Sequence, residues 1–398
     1  MTAVGTQASG YRWLILLVCL VSCGMYYFSR ESIPPLITKI QSVFSVSAGT
    51  AGLLVSAIVI PGVLMAIPAG FLINKYGFRL MGSLAMVCVA LGSLVIVLST
   101  NFISMLCGGV IMGLSSCFLT IGTAAIIPHW FKSRELGFAM GIYSIVYPLS
   151  TIIAFTVGPL MREFISWQSP FYLSIIGATL CGIFFFVLVK DRGLIIKSNV
   201  SSKSTAEEIV KNTAAWKVGL LWLFYSMASG AFVTWSPTLL STFKDFNILG
   251  ASSISSLYMV STLLFIPVYG WISDKSGHRK PIMVAGLLGM ASSILALIYL
   301  NDLPLIFIIL LVGAFASAVP ALAFASMAET MPPEKSGLGF GMMSFWNRTA
   351  TVVVAPLVGF LLDTTQSIHT FACIALFAVL SATLALTLRK KPKPASSI

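Results

Sequence analysis

The chain has 398 residues, of which 58% are apolar and only 9% are charged, and its formal net charge is +12. A soluble protein carries roughly 25% charged residues, so this composition excludes a water-exposed globular fold and places most of the chain in lipid. The positive charge alone would suit a nucleic-acid partner, but its distribution along the chain argues against one.

Apolar stretches of membrane-spanning length follow one another along the whole chain. About 20 apolar residues cross the hydrocarbon as a helix, and this criterion predicts twelve helices. They lie near residues 12–37, 46–73, 79–99, 103–129, 136–161, 168–190, 215–242, 250–273, 280–300, 303–328, 337–361 and 367–388. We therefore predict a six-helix bundle at 1–190, a cytoplasmic linker at 191–214, and a second six-helix bundle at 215–398 that ends in a short basic tail.

The basic residues lie mostly on one side of the predicted membrane. With both termini in the cytoplasm, nineteen of the 24 Lys and Arg lie at cytoplasmic ends and loops, three lie outside and two lie within helices. This is the positive-inside pattern. The charge therefore indicates topology and contact with anionic lipid, not nucleic acid. The compact length favours a prokaryotic inner membrane.

No arrangement of residues in the sequence predicts catalysis or a cofactor. The seven cysteines lie in apolar segments without metal-ligand spacing, and the three histidines are far apart and lack paired acids. No nucleophile stands beside a base, and no helix carries paired carboxylates. We expect neither an enzyme, nor a metal, nor a cofactor.

Two polar loops repeat each other 200 residues apart. Residues 70–79 read GFLINKYGFR, and residues 270–280 read GWISDKSGHRK. Parallel internal repeats are typical of transporters. The loops resemble the signature of the major facilitator superfamily, which follows the second helix of each half, and the resemblance extends over essentially the whole chain. It implies an all-α membrane fold of twelve helices in two pseudo-symmetric six-helix bundles that transports by alternating access.

In that superfamily the signature loop braces neighbouring helices on the cytoplasmic side and favours the outward-open state. A carboxylate there can accept hydrogen bonds from a helix N-terminus and from Arg. The second copy carries this acid as Asp274, whereas the first copy has Asn74, so we expect the second copy to dominate. The predicted latch residues are Asn74, Arg79, Gly270, Asp274, Lys275, Gly277 and Arg279.

A further resemblance concerns predicted helices one and seven. The run from Tyr26 to Arg30 reads YYFSR and resembles helix one of organophosphate:phosphate antiporters and other organic-anion carriers, which place an Arg there as the anion ligand. The run beginning at Trp235 resembles helix seven of the same family, but Ser229 stands where that family has a second Arg. Carriers of nitrate, cyanate or small carboxylates therefore remain open. Gly109, where drug/proton antiporters carry Arg, argues against that class.

Arg30 is the most informative single residue. It lies about 18 residues into predicted helix one, and an ionised side chain at mid-membrane costs roughly 3 kcal/mol on insertion scales. Its planar fork suits carboxylate or phosphate oxygens, so it is either an anion ligand or one half of a structural ion pair. Glu31 is adjacent but points about 100° away around the helix, which predicts a poor direct partner.

Arg348, next to Asn347 in predicted helix eleven, is either a second anion ligand or the partner of Glu31. If Glu31 pairs with Arg348, protonation of Glu31 would open the pair and couple proton flow to transport. Alternatively, the ion pair is structural and holds the two helices together throughout transport. Other substrate-binding candidates, each equally suited to packing, are Tyr26, Tyr27, Tyr147, Tyr225, Ser229 and Trp235.

The sequence thus predicts a monomeric secondary transporter, in contact with membrane lipid, that moves a small carboxylate-type organic anion by alternating access, with symport of protons through Glu31 as one option. The alternative is a carrier of a neutral, zwitterionic or cationic solute, such as an amino acid, peptide or drug, in which Arg30 is structural. A further alternative is that the protein is not a transporter but a receptor, which binds a solute without moving it across the membrane.

Overall fold

The computed structural model describes residues 9–131, 133–189, 212–330 and 336–388, and these ranges contain fifteen α-helices and no strand. The helices are α1 (Ser9–Glu31), α2 (Ile37–Phe44), α3 (Ala48–Leu64), α4 (Ala66–Tyr76), α5 (Phe78–Val97), α6 (Phe102–Trp130), α7 (Ser133–Phe164), α8 (Ser169–Leu188), α9 (Thr213–Phe243), α10 (Ile248–Ser276), α11 (Arg279–Tyr299), α12 (Asp302–Ala316), α13 (Pro320–Thr330), α14 (Ser336–Thr365) and α15 (Thr370–Leu386). The predicted linker and basic tail lie almost entirely outside the described ranges.

Each of the twelve predicted helices is present, and three of them are broken at prolines. Proline has no N–H to donate to the carbonyl four residues earlier. The first break follows Glu31, where Pro34 and Pro35 come next, and the third separates α12 from α13 at Pro320. The second separates α3 from α4, which are bent by 62° just before Pro68.

Most of these helices suit a bilayer in length and composition. In the described part of the chain, ten helical segments are long and apolar enough to cross a membrane, or eleven if the bent pair of α3 and α4 forms one span. The last helix, α15, is shorter but equally apolar. The structure therefore agrees with an all-α membrane protein.

The helices group into two compact units that do not follow the order of the chain. The first contains Met1–Ser198 together with Val233–Met259 and Thr351–Gln366. The second contains Asn199–Phe232, Val260–Ala350 and Ser367–Ile398. Parts of α9, α10 and α14 thus belong to the same unit as the first eight helices.

Within the first unit, α5 packs against both α6 and α8, while α1 packs against α7 and α8. Small residues allow α5 and α6 to approach closely: a Cβ atom at Gly92 would lie 2.6 Å from the backbone nitrogen of Met112. At the other end of α5, the buried rings of Phe78 and Phe185 meet edge to face, with centroids 5.1 Å apart.

Within the second unit, α11 packs against α12 and α15. The hydroxyl of Ser381 on α15 donates to the carbonyl of Leu221 on α9 over 2.9 Å. The rings of Trp216 and Trp346 meet with centroids 5.8 Å apart, which joins α9 to α14.

Candidate substrate-binding site

The last turn of α1 carries the two charges that the sequence singled out. Arg30 Nε lies 3.2 Å from Glu31 Oε1, and the two side chains are 21% and 4% exposed. The prediction that Glu31 would be a poor partner for Arg30 is therefore wrong. The angle between neighbouring residues on a helix does not prevent the pair, because the three methylenes of arginine carry its guanidinium around the end of α1, which ends at Glu31.

This pair does not use the full binding capacity of Arg30. A guanidinium has five N–H donors, and the contact with Glu31 is made at Nε, so the fork formed by the two terminal nitrogens is not engaged by Glu31. Glu31 Oε1 in turn is buried and has no hydrogen-bond donor of suitable geometry among the described residues. The pair is therefore balanced in charge but incompletely hydrogen-bonded.

Three tyrosine rings form a cluster near the end of α1. The Tyr27 ring lies 5.3 Å from that of Tyr26 and 5.1 Å from that of Tyr147, centroid to centroid. All three phenols interact electrostatically with Arg30. The structure thus brings together, from α1 and α7, five of the side chains that the sequence had proposed for substrate and proton binding.

Tyr258 on α10 is a further member of this group that sequence reasoning missed. It is 2% exposed and lies within electrostatic range of Tyr147. Tyr258 is one of two tyrosines in α10, the other being Tyr269, and nothing in the sequence relates α10 to α7.

The candidates of the second unit lie on α9 and α14. Asn347 Nδ2 donates to Ser226 Oγ over 3.0 Å, and Tyr225 stacks on Trp222 with ring centroids 5.2 Å apart. Ser229 on α9 and Arg348 on α14 are half-buried. The substrate-binding roles of these residues remain predictions.

Trp235 is placed differently from what its sequence context suggested. Its side chain is fully buried in the first unit, and its indole N–H donates to the carbonyl of Ala355 on α14 over 3.0 Å. Because the indole has no other donor, this placement argues for packing rather than substrate contact.

Each of the two signature loops turns at a glycine. Gly77 and Gly277 both adopt positive φ, 84° and 66°, a region that glycine enters without steric cost. Beyond the first turn, Arg79 Nε donates to the carbonyl of Phe186 near the end of α8 over 2.5 Å. Beyond the second, Lys280 Nζ donates to the carbonyl of Leu386 at the end of α15. Each loop therefore caps the last helix of its own set of six.

The acidic residue of the second signature makes no comparable contact. Asp274 is exposed, and it forms no hydrogen bond or ion pair with the residues that the structure describes. Arg279 instead pairs with Glu329 at the end of α13, with 2.5 Å between Nη1 and Oε1. Arg79, Arg279 and Lys280 thus contact neighbouring helices, whereas the bracing function of the loops and the latch through Asp274 remain predictions.

No group of three or more His, Cys, Asp or Glu residues in the described ranges could hold a metal ion. The end of α1 brings together one guanidinium, one carboxylate and several phenols. A guanidinium can bind an anion, and carboxyl and phenol groups can carry an exchangeable proton.

Comparison with known proteins decides the family. A sequence profile of the Major Facilitator Superfamily matches residues 19–253 and 243–398. The chain belongs to this superfamily. It is a multi-pass integral membrane transporter and not an enzyme, and the predicted all-α major facilitator fold is confirmed.

Two relatives within the superfamily differ in the anions their names record. The probable galactarate/D-glucarate transporter GarP of Escherichia coli (strain K12) is 22% identical over 416 residues, which cover 94% of this chain and 93% of that protein. The nitrite extrusion protein of Bacillus subtilis (strain 168) is 25% identical over 254 residues, which cover 63% of this chain and 62% of that protein. The match with GarP thus extends over nearly the full length of both proteins, whereas the match with the nitrite extrusion protein covers less than two thirds of each chain.

A solved structure of the superfamily shares the fold. A bacterial homolog of the human lysosomal transporter Spinster, in an inward-facing and unoccupied conformation, superposes with a TM-score of 0.81 at 15% identity. The match covers 97% of this chain and 100% of that one.

Proposed function

We propose that this protein is a secondary transporter of a small organic anion with a carboxylate group, and that Arg30 is the ligand of that carboxylate. The observation that carries the proposal is the guanidinium at the end of α1, whose terminal fork is not engaged by Glu31 and which retains 21% exposure beside three phenols. A carboxylate fits such a fork with two parallel hydrogen bonds. Insertion of an arginine into a membrane helix is costly, which favours a functional role over an incidental one.

Sugar acids are the class of anion that the surroundings of Arg30 favour. The phenols of Tyr26, Tyr27 and Tyr147 can donate to and accept from the hydroxyl groups of a polyhydroxy acid while Arg30 binds its carboxylate. GarP, which matches this chain over nearly its whole length, is named for two sugar diacids.

We further propose that Glu31 couples transport to protons, in symport. Because Glu31 already occupies one edge of Arg30, a substrate carboxylate competes with it for the same positive charge. Protonation of Glu31 removes this competing negative charge and strengthens binding of the anion at the terminal fork of Arg30. One proton and one anion then cross together in the direction of the proton gradient.

The same ion pair also supports a second candidate function. Since Arg30 has a partner in Glu31, it does not need an anionic ligand to balance its charge. A neutral, zwitterionic or cationic solute would then bind elsewhere, and Arg30 would be structural. In a variant of the first proposal, Arg30 binds a small inorganic anion instead of a carboxylate; the name of one relative records nitrite.

A thermal-shift screen of the purified protein tests these candidates. The panel contains galactarate, glucarate, a hexuronate, nitrate, nitrite, phosphate esters, amino acids and cationic drugs, each with the native protein and with Arg30→Ala. A ligand at 100 times its Kd stabilises the native form by about 2.7 kcal/mol. Arg162→Ala is the matched control, because Arg162 lies fifteen residues beyond Tyr147 on the same helix, about 22 Å at 1.5 Å per residue.

We expect a shift with sugar acids that Arg30→Ala abolishes and Arg162→Ala retains. A shift with nitrate or nitrite alone would narrow the substrate to inorganic anions. A shift with neutral or cationic compounds that survives in Arg30→Ala would overturn the anion proposal and make Arg30 structural.

A further inference from the structure

The N-terminus of α3 is held by a carboxylate from a distant part of the chain. The two oxygens of Asp363, near the end of α14, accept hydrogen bonds from the backbone N–H groups of Ala48 and Gly49 over 2.7 and 2.8 Å. All three residues lie in the first compact unit. This is the first turn of α3, where a helix exposes unpaired N–H groups and a partial positive charge.

The remaining N–H groups of this turn are satisfied by Ser47. Its hydroxyl accepts from the N–H of Thr50 over 3.2 Å, and its carbonyl accepts from the N–H of Ala51 over 2.9 Å. The first turn of α3 is thus completely paired, and Asp363 supplies the only charged acceptor among the described residues that contact it. Charge-assisted hydrogen bonds of this kind are roughly twice as strong as neutral ones.

The contact continues along both helices. A Cβ atom at Gly52 would lie only 2.6 Å from the carbonyl oxygen of Ala355, so the two backbones touch there. One turn further along α3, the hydroxyl of Ser56 donates to the carbonyl of Val352 over 2.6 Å. We refer to these pairs, together with that of Asp363, as the α3–α14 contact. It is tightly packed over about two turns.

The α3–α14 contact joins predicted helices two and eleven at the ends that the positive-inside pattern places outside. These helices belong to different predicted six-helix bundles. In alternating access, a contact between the bundles on the outer side must break before the protein can open outward. Asp274, the acid predicted to latch the cytoplasmic side, is exposed and makes no hydrogen bond or ion pair with the described residues.

We propose that Asp363 is an outer latch: its carboxylate on the N-terminus of α3 closes access from outside, and it releases when the protein opens outward and Asp274 engages. The two acids then act in the same way at opposite ends of the molecule, each binding a helix N-terminus in one state only. This proposal concerns the conformational cycle and does not depend on which solute is carried.

The test measures how fast a reporter thiol inside the contact reacts with a membrane-impermeant maleimide. Ser56→Cys is introduced into a chain whose seven native cysteines, all free thiols, are replaced. Labelling is followed in right-side-out and inside-out vesicles without any substrate, so the result is independent of the proposed anion. Asp363→Asn removes the charge at constant shape, Asp363→Glu keeps the charge, and size-exclusion profiles confirm that each variant is folded.

We expect Asp363→Asn to raise labelling in right-side-out vesicles about tenfold, and Asp363→Glu to raise it less. Glu163→Gln is the matched control, since Glu163 is an exposed acid at the end of α7 with the same predicted side and the same change of charge. It should leave the rate within twofold of the native value. Adding Asp274→Asn to Asp363→Asn should lower the rate again, because the competing latch is then lost.

Unchanged labelling in folded Asp363→Asn would overturn the proposal. An increase only in inside-out vesicles would overturn the assignment of Asp363 to the outer side. A double variant that labels as fast as Asp363→Asn alone would overturn the exchange between the two acids.

Discussion

Replacing Glu31 by Gln tests the centre of the proposed mechanism. The change keeps the size of the side chain and removes its charge, so Arg30 loses the partner that lies 3.2 Å from its Nε. Removing one partner of a fully buried ion pair costs about 3–5 kcal/mol. Because Arg30 retains 21% exposure and Gln still offers an acceptor, we expect a smaller loss of about 1–3 kcal/mol in the unliganded protein.

The same change should strengthen anion binding. With Glu31 neutral, a substrate carboxylate no longer competes for Arg30, so the thermal shift produced by a saturating anion should be larger in Glu31→Gln than in the native protein. Exchange of labelled for unlabelled anion across vesicles needs no proton and should persist. Accumulation driven by a pH gradient should disappear, because the variant has no carboxyl group to protonate at this position.

Glu135→Gln provides the matched control. Glu135 also pairs with an arginine, Arg12, with 2.7 Å between Oε2 and Nη1, but it is 40% exposed. Such a pair contributes about 0–1 kcal/mol, so this variant should differ little from the native protein in stability and should accumulate anion normally. If Glu31→Gln also accumulated anion in a pH gradient as fast as the native protein, Glu31 would not carry the proton.

Three further predictions concern the helix contacts and loops. Gly52→Ala should force α3 and α14 apart by about 0.7 Å or more, since its Cβ would otherwise lie 2.6 Å from the Ala355 carbonyl oxygen. We expect the free energy of unfolding to fall by about 1–3 kcal/mol and the Ser56→Cys thiol to be labelled faster from outside. An unchanged melting temperature would contradict this. Asp274→Asn should alter the balance of inward- and outward-open states more than Asn74→Ala does, and equal cysteine accessibility in the two variants would contradict it. Arg79→Gln should lose the hydrogen bond to α8 and lower the free energy of unfolding by about 1–2 kcal/mol, seen as a lower melting temperature. An Arg79→Leu variant as stable as the native protein would show that this hydrogen bond contributes nothing to stability.

The fold could be predicted almost completely from the sequence. Hydropathy gave the twelve helices, and the prolines at 34, 35, 68 and 320 mark the three breaks, because their missing N–H is a local property. The repeat of the signature loops could also be recognised from the sequence alone, and in the structure both loops have a glycine with positive φ, Gly77 and Gly277.

The site could be predicted only in part. Arg30 and its neighbouring tyrosines were identifiable because a charge within an apolar helix is rare. The pairing of Arg30 with Glu31 was missed because helical angles describe Cβ directions, not the reach of a long side chain at a helix end. Asp363 was missed for a different reason: its partners are about 315 residues away, and no feature of one sequence relates such positions.

The paired signature turns have a consequence for how the protein can be altered. The carbonyls that Arg79 and Lys280 cap belong to Phe186 and Leu386, which are themselves 200 residues apart. Each acceptor follows its glycine by 109 residues, so turn and acceptor have the same spacing in both copies, whereas the donor comes two residues after Gly77 and three after Gly277. A chimera that exchanges each loop together with its donor would therefore keep both contacts and would transfer the single acid of the second copy to the first half of the molecule.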